Sequence, residues 1–482
     1  MTFQSDFLWG AGSAAYQIEG AWNKDKKGPS IWDEFCHTPG HIHGDETGDI
    51  AADAYHRFET DLSIMKELGL KSYRFSVSWP RVFPEGVGRI NKKGLSYYDR
   101  VVDSLLDAGI TPFLTLYHWD LPLALERCGG WRSRDTVEGF IRYAEQIARH
   151  FDGRVNHYIT LNEPQCFIGL GYVSALHAPG RRLSQQAAVQ CVHHALVAHG
   201  GAISAMRSAS ASPLHVGLAS TGKLCFPNAQ QSFNKPAQQG FVPPEQRENA
   251  ATIPDRSAQK ESVKAIENAA VKAAYDATFR LDEDWTFSHT WLLDAAVTGR
   301  YPEETAAFRI LNETISESDQ RIIREPMDFI GLNIYNGIPV DKKGNRIKKA
   351  PGFPRTALKW PVTPECLYYG PKFLNKRYNL PIIITENGQS CNDRIFLDGA
   401  VHDADRIDFL TRYLLQLKQA AAEGIPLQGY FHWSLTDNFE WHSGYDERFG
   451  LVYIDYETQC RIIKDSGYWY RDLIRRNGEI VV

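Results

Sequence analysis

Thr111-Pro112-Phe113-Leu114-Thr115-Leu116-Tyr117-His118-Trp119 and Asn156-His157-Tyr158-Ile159-Thr160-Leu161-Asn162-Glu163 are two short, nearly continuous apolar runs. Their β-branched and aromatic content is that of strands buried on both faces. Between them Val137, Phe140, Ile141, Ala144, Ile147, Ala148 and Phe151 fall on one helical stripe. Asp135, followed three residues later by Glu138, predicts a capping box at the start of that helix. Strand, helix and strand in this order, with the strands dry on both sides, call for a parallel sheet covered by helices.

The same alternation extends in both directions. Phe7–Ala14, Ser72–Trp79, His215–Ser220, Met327–Tyr335, Pro381–Glu386 and Gln428–Ser434 bring the runs to eight, the strand count of a (β/α)8 TIM barrel. Tyr55, Phe58, Leu62, Met65 and Leu68 mark a second helix closed by Gly69, and a third spans about Asp405 to Glu423 with Gly424 beyond it. The predicted fold is α/β: residues 1–482 form one catalytic barrel with extended loops at the C-terminal face of its strands. A Gln/Asn/Pro-rich segment at about 227–259 is expected to be a surface insertion, a wall of the pocket.

Composition narrows the function classes. A net charge of −5 offers no basic footprint for nucleic acid or an anionic membrane. No stretch of about 18 apolar residues occurs, and the N-terminus enters Phe7–Gly12 without a signal-like segment, so a cytoplasmic protein is expected. The eight cysteines are scattered without C-x-x-C pairs or zinc-like His spacing and predict reduced thiols. Neither a metal nor a cofactor is implied.

Barrel active sites sit where strands end, so the residues closing these runs carry the chemistry. They are His118-Trp119-Asp120, Asn162-Glu163-Pro164, Asn333-Ile334-Tyr335, Glu386-Asn387-Gly388, and Trp433 with Ser434. A lone glutamate after a strand is ordinarily a helix-start or ion-pair residue. Two of them, ending the fourth and seventh runs, face each other across the mouth, and glycosidic cleavage needs such a pair: one acid to protonate the leaving oxygen and one ionised carboxylate to attack C1 or activate water.

The chain resembles the family 1 glycoside hydrolases, the β-glucosidase group. The resemblance runs from Phe7-Leu8-Trp9-Gly10 and Tyr16-Gln17-Ile18-Glu19-Gly20 through Tyr73–Trp79, His118–Pro122 and Thr160–Pro164. It closes with Ile384–Gly388 and Trp433–Tyr453. It implies that Glu163 is the general acid/base, carrying the raised pKa, and Glu386 the nucleophile, with carboxyls about 5–5.5 Å apart and retention of configuration. It implies that Arg74 keeps Glu386 ionised and that Tyr335 hydrogen-bonds it. The substrate contacts it implies are Gln17, His118, Asn162, Trp433, Glu440 and Trp441, with Asn162 reaching the 2-hydroxyl. A charged Glu440 would repel a 6-phosphate, so free glycosides are expected.

The pattern is broken where Gln165 replaces the usual Trp after Asn-Glu-Pro and where Leu123 replaces Gln, both expected in the outer cleft. The activity implied is that of a retaining, exo-acting β-glucosidase on small-molecule β-glycosides. A β-galactosidase, β-fucosidase or transglycosylase on the same scaffold stays open, as do a non-catalytic sugar-binding relative and the oligomeric state.

Overall fold

A computed structural model describes residues 3–228, 256–282 and 285–480. All eight apolar runs are strands: β1 (Leu8–Gly12), β2 (Ser72–Ser76), β3 (Thr111–Tyr117), β4 (His157–Asn162), β5 (His215–Ser220), β6 (Phe329–Asn333), β7 (Ile382–Asn387) and β8 (Leu427–Trp433). Each pairs in parallel with the next, and β8 returns to β1, closing the barrel. Closure leaves no open edge, so every central strand can be apolar on both faces.

One inward layer plugs the barrel. Phe113, Ile159, Ala219, Phe329, Ile383 and Phe431 pack together with Leu8 against them, each from a different strand. The Phe113 ring stands edge-on to Phe431 and Phe329 at 5.1 and 5.7 Å between centroids. Burial of each large side chain stabilises the fold by about 1.5–3 kcal/mol. Further along the same strands the inward positions turn polar, with Thr115, Thr385 and Asn333 above the plug.

Two irregularities then re-aim the strand ends. Between β4 and β5, Ile159 faces Gly217 but Asn162 faces Ala219, so three residues advance against two. Between β6 and β7, Leu332 faces Ile384 but Asn333 faces Glu386. Strict alternation would send Glu386, one residue past the inward Thr385, outward; an extra residue in the strand undoes that.

The helix predicted from the 137–151 stripe runs from Arg134 to His150, with Val137, Phe140, Ala144, Ile147, Ala148 and Phe151 buried and Ile141 partly so. The capping box expected of Asp135 and Glu138 is absent. Ser133 caps the helix, its Oγ accepting from the Asp135 N–H at 3.2 Å. Asp135 sits inside the first turn, where a carboxylate meets the positive end of the helix dipole, and Glu138 pairs with Arg142. The other two helices are Ala54–Glu67 and Ala404–Ala422; Gly69 and Gly424 follow them with φ of 66° and 86°, the left-handed backbone glycine adopts without penalty.

Most of the polar segment expected at 227–259 lies outside the described residues. Its edges are regular: Cys225–Pro227 is a short strand paired with Ile338–Val340, and a helix begins at Arg256. Among the described residues no helix is long and apolar enough to cross a membrane.

Candidate active site

The C-terminal ends of the strands surround a cavity of about 580 Å³, lined by Glu163, Glu386, His118, Tyr335, Trp433, Glu440 and Trp441 among others. That volume suits a small ligand. A larger hollow of about 780 Å³ near Lys348, Phe353 and Arg412 contains neither catalytic candidate.

Glu386, at the end of β7, is held by both oxygens. Arg74 of β2 donates Nη1–H to Oε1 at 2.7 Å, and the Tyr335 hydroxyl beyond β6 donates to Oε2 at 2.6 Å. Arg74 is fully buried and has further fixed partners: Nη1 also meets the Thr385 carbonyl, Nη2 the Asn162 Oδ1 and Nε the Thr115 Oγ1. Such bonding defines the guanidinium's position, and hydrogen bonds of this charged kind are worth about 1.5–3 kcal/mol each.

Glu163 follows β4 with φ 47° and ψ 68°, a left-handed conformation unusual for a residue with a side chain, and Pro164 opens the next helix immediately behind it. Its Oε1 accepts one hydrogen bond from the neutral Asn333 amide, at 2.9 Å, with the Cys166 thiol beside it. Burial, and next the negative charge of Glu386, push its carboxyl up to about 8. Asn333 thus ties the acid to its surroundings: the same Nδ2 donates to Asn162 Oδ1 at 3.0 Å, and its Oδ1 accepts from Thr385.

At the far end of the cavity Glu440 is also raised to about 8, first by burial and then by the charges of Glu386, Glu447 and Glu163. The raised proton affinity weakens the repulsion expected between Glu440 and a 6-phosphate. Gln17, in the turn of helix Ala15–Ile18 after β1, donates Nε2–H to Glu440 Oε2 at 3.3 Å, while its buried Oε1 has no protein partner.

His118 is kept neutral by burial and by the Arg74 charge, which lower its pKa well below the usual value. Its Nε2 lies 3.1 Å from the Asn162 amide nitrogen and accepts from it, which puts the ring hydrogen on Nδ1, an atom without a protein partner. Asn162 stands just behind the cavity wall; its Oδ1 is engaged, and one Nδ2 hydrogen remains for a ligand. His118 lies nearly parallel to the rings of Trp433 and Trp441, at 5.7 and 6.0 Å between centroids. These flat apolar faces with orphaned polar atoms between them match the alternating C–H and O–H character of a pyranose.

Two residues expected in the outer cleft are elsewhere. Gln165 is fully buried, donating to Ser220 Oγ at 2.9 Å, and Leu123 is buried at the start of helix Leu123–Arg127. Neither lines the cavity; Cys166 does. Asp120 is also buried away from it, its carboxyl pushed up to about 8 by burial. Residues that spacing did not single out are Cys166, His177, Trp360 and His442, all on the cavity wall. Asn333 was visible as a strand-ending polar residue, but its bond to Glu163 was not.

A closed (β/α)8 barrel in which two glutamates of unlike environment share one sugar-sized cavity defines an enzyme that hydrolyses glycosidic bonds. The comparisons agree. The profile described as Glycosyl hydrolase family 1 matches residues 1–242 and 267–479. The chain is 40% identical to Beta-glucosidase A of Thermotoga maritima, covering 99% of this chain and 98% of that protein. It is 36% identical to a bifunctional beta-D-glucosidase/beta-D-fucosidase of Bifidobacterium breve, covering 98% of each. A solved structure of the family 1 β-glucosidase from Thermotoga maritima superposes with a TM-score of 0.82 at 38% identity, covering 99% of this chain and all of that one. The chain belongs to glycosyl hydrolase family 1.

Proposed function

We propose that this protein is a retaining, exo-acting β-glucosidase in which Glu163 is the general acid/base and Glu386 the nucleophile. The observation that carries the assignment is the asymmetry of the two carboxyls. Glu386 has a guanidinium and a phenol fixed on its two oxygens; Glu163 has a neutral amide and a raised proton affinity.

In the first step Glu163 gives its proton to the glycosidic oxygen as an oxygen of Glu386 bonds to C1. Arg74 and Tyr335 orient the attacking carboxylate. Once the glycosyl-enzyme forms, the negative charge of Glu386 is gone, and with it one cause that holds the Glu163 proton. Glu163 then takes a proton from water attacking C1 on the vacated face, and two inversions give retention. Gln17, Asn162, His118 and Glu440 are the proposed hydroxyl contacts, and Trp433 and Trp441 the apolar wall. Glu440, able to donate as well as accept when protonated, suits hydroxyl recognition.

A β-D-fucoside, which lacks the 6-hydroxyl and carries the 4-hydroxyl axial, keeps the 2-hydroxyl proposed to meet Asn162, so activity on it is the second reading. Free thiols at all eight cysteines support a cytoplasmic setting, and the acidic net charge supports independence from nucleic acid. The test is hydrolysis of aryl β-glucosides and cellobiose followed by NMR of the first-formed anomer. Release of β-glucose is expected; α-glucose as first product, or turnover of α-glucosides alone, would overturn the assignment.

A further inference from the structure

His177 and His442 form a pair in the cavity wall. Nε2 of His177 lies 3.1 Å from Nδ1 of His442, and both residues face the same space as Glu163 and Glu440. His177 belongs to the chain that continues from the helix Pro164–Ile168 behind Glu163; its backbone N–H donates to the Leu170 carbonyl. His442 directly follows Trp441. The pair therefore joins the segment of the proposed acid to the segment of the sugar-contacting glutamate.

Position in the cleft follows from burial. Arg74 and His118 lie at the dry floor, whereas His442 is only half-buried, so its ring is on the outward side. The acid must touch the glycosidic oxygen, which places the leaving group outward of Glu163. Much of the wall there is apolar, with Leu170, Phe287, Ile338 and Leu358.

The pair's internal bond sets what it offers. Burial lowers the pKa of both rings, that of His177 to about 3, so both are neutral and only one hydrogen lies between them. Were it on His442, the hydrogen of His177 would sit on Nδ1, which is buried without a partner. An orphaned buried N–H is disfavoured more than an orphaned lone pair. The hydrogen consequently belongs to His177 Nε2, His442 accepts at Nδ1, and the hydrogen of His442 is on Nε2, for which the described residues supply no acceptor.

We infer that His442, oriented by His177, donates a hydrogen bond to a hydroxyl oxygen of the leaving group and selects sugar over plain aryl or alkyl leaving groups. This rests on the glycosidase reading above, with His442 as a specificity-determining residue and His177 as its positioning residue.

The experiment compares kcat/KM on cellobiose and on phenyl β-D-glucoside for the wild type, His442→Phe, His442→Asn, His177→Phe and the double Phe variant. Loss of one neutral hydrogen bond should lower the cellobiose-to-phenyl ratio about three- to tenfold in His442→Phe. The change should appear mainly in KM for cellobiose. His442→Asn, which keeps a donor, should recover part of the ratio. His177→Phe should shift it in the same direction, and the double variant should add little to His442→Phe alone. An unchanged ratio, or a parallel fall on both substrates, would overturn the inference while leaving the glycosidase reading intact. A wild type that turns over neither substrate would overturn that reading itself.

Discussion

Glu163 and Glu386 are the same residue at the ends of two strands of one barrel, and they differ in almost everything that surrounds them. The β7 corner brings a buried guanidinium from β2 and a phenol from beyond β6 onto both oxygens of Glu386. The β4 corner gives Glu163 one neutral amide, a thiol and no cation of its own, and its carboxyl rises to about 8. Neither role is a property of glutamate. Each is supplied by side chains from other strands, so the two corners can be tested separately.

The strongest test is to remove the charge at the β7 corner. Glu386→Ala should lose all covalent chemistry, lowering kcat on the order of 10⁴- to 10⁶-fold on every substrate. Residual activity that depends on leaving-group acidity would transfer the nucleophile role elsewhere. Glu163→Ala should instead divide substrates: about 10²- to 10⁴-fold loss on cellobiose, which needs protonation, and much less on dinitrophenyl glucoside. Added azide should accelerate the second substrate and yield the β-glycosyl azide by NMR. Equal loss across leaving groups would erase the contrast between the corners.

A smaller effect is expected at Tyr335. Tyr335→Phe removes one hydrogen bond to Glu386 and should lower kcat about tenfold, with the alkaline limb of the pH profile unmoved. Glu163 contributes to that limb. The first step needs its proton, so kcat/KM should fall as pH rises through about 8, a dependence that Glu163→Gln should weaken to the part left by Glu440, which is also raised to about 8.

The smallest effect is on stability, and its sign follows from the raised pKa. A carboxyl whose folded value lies at about 8, above an ordinary 4.5, favours the folded state fully below 4.5, and that contribution is lost as pH rises through 8. Glu163→Gln carries no such penalty. Its melting temperature should match the wild type near pH 4.5 and exceed it by a margin that grows towards pH 9. A constant offset would mean that burial does not hold the proton on Glu163.

The barrel was legible because buried parallel strands need continuous apolar runs, and all eight, with the three helices, stand where the pattern put them. Local hydrogen-bond details were less legible. Asp135 reads as a cap, yet Ser133 takes that place because the chain enters the helix two residues earlier. Gln165 and Leu123 were read as lining the cleft, and both turned into the core, since nothing local to either position says which way the following helix will face.

Pattern and motif sufficed for the strand count, the parallel order, and the presence of a carboxylate at the ends of the fourth and seventh strands, because each is written in neighbouring residues. Folding alone set which way those carboxylates point. An extra residue in the pairing of β4 with β5 and of β6 with β7 overrides the period of two, and register belongs to the partner strand as much as to the strand itself. Proton affinity and the His177–His442 contact came the same way. They arise from charges and rings hundreds of positions apart, brought within hydrogen-bonding distance only when the barrel closes.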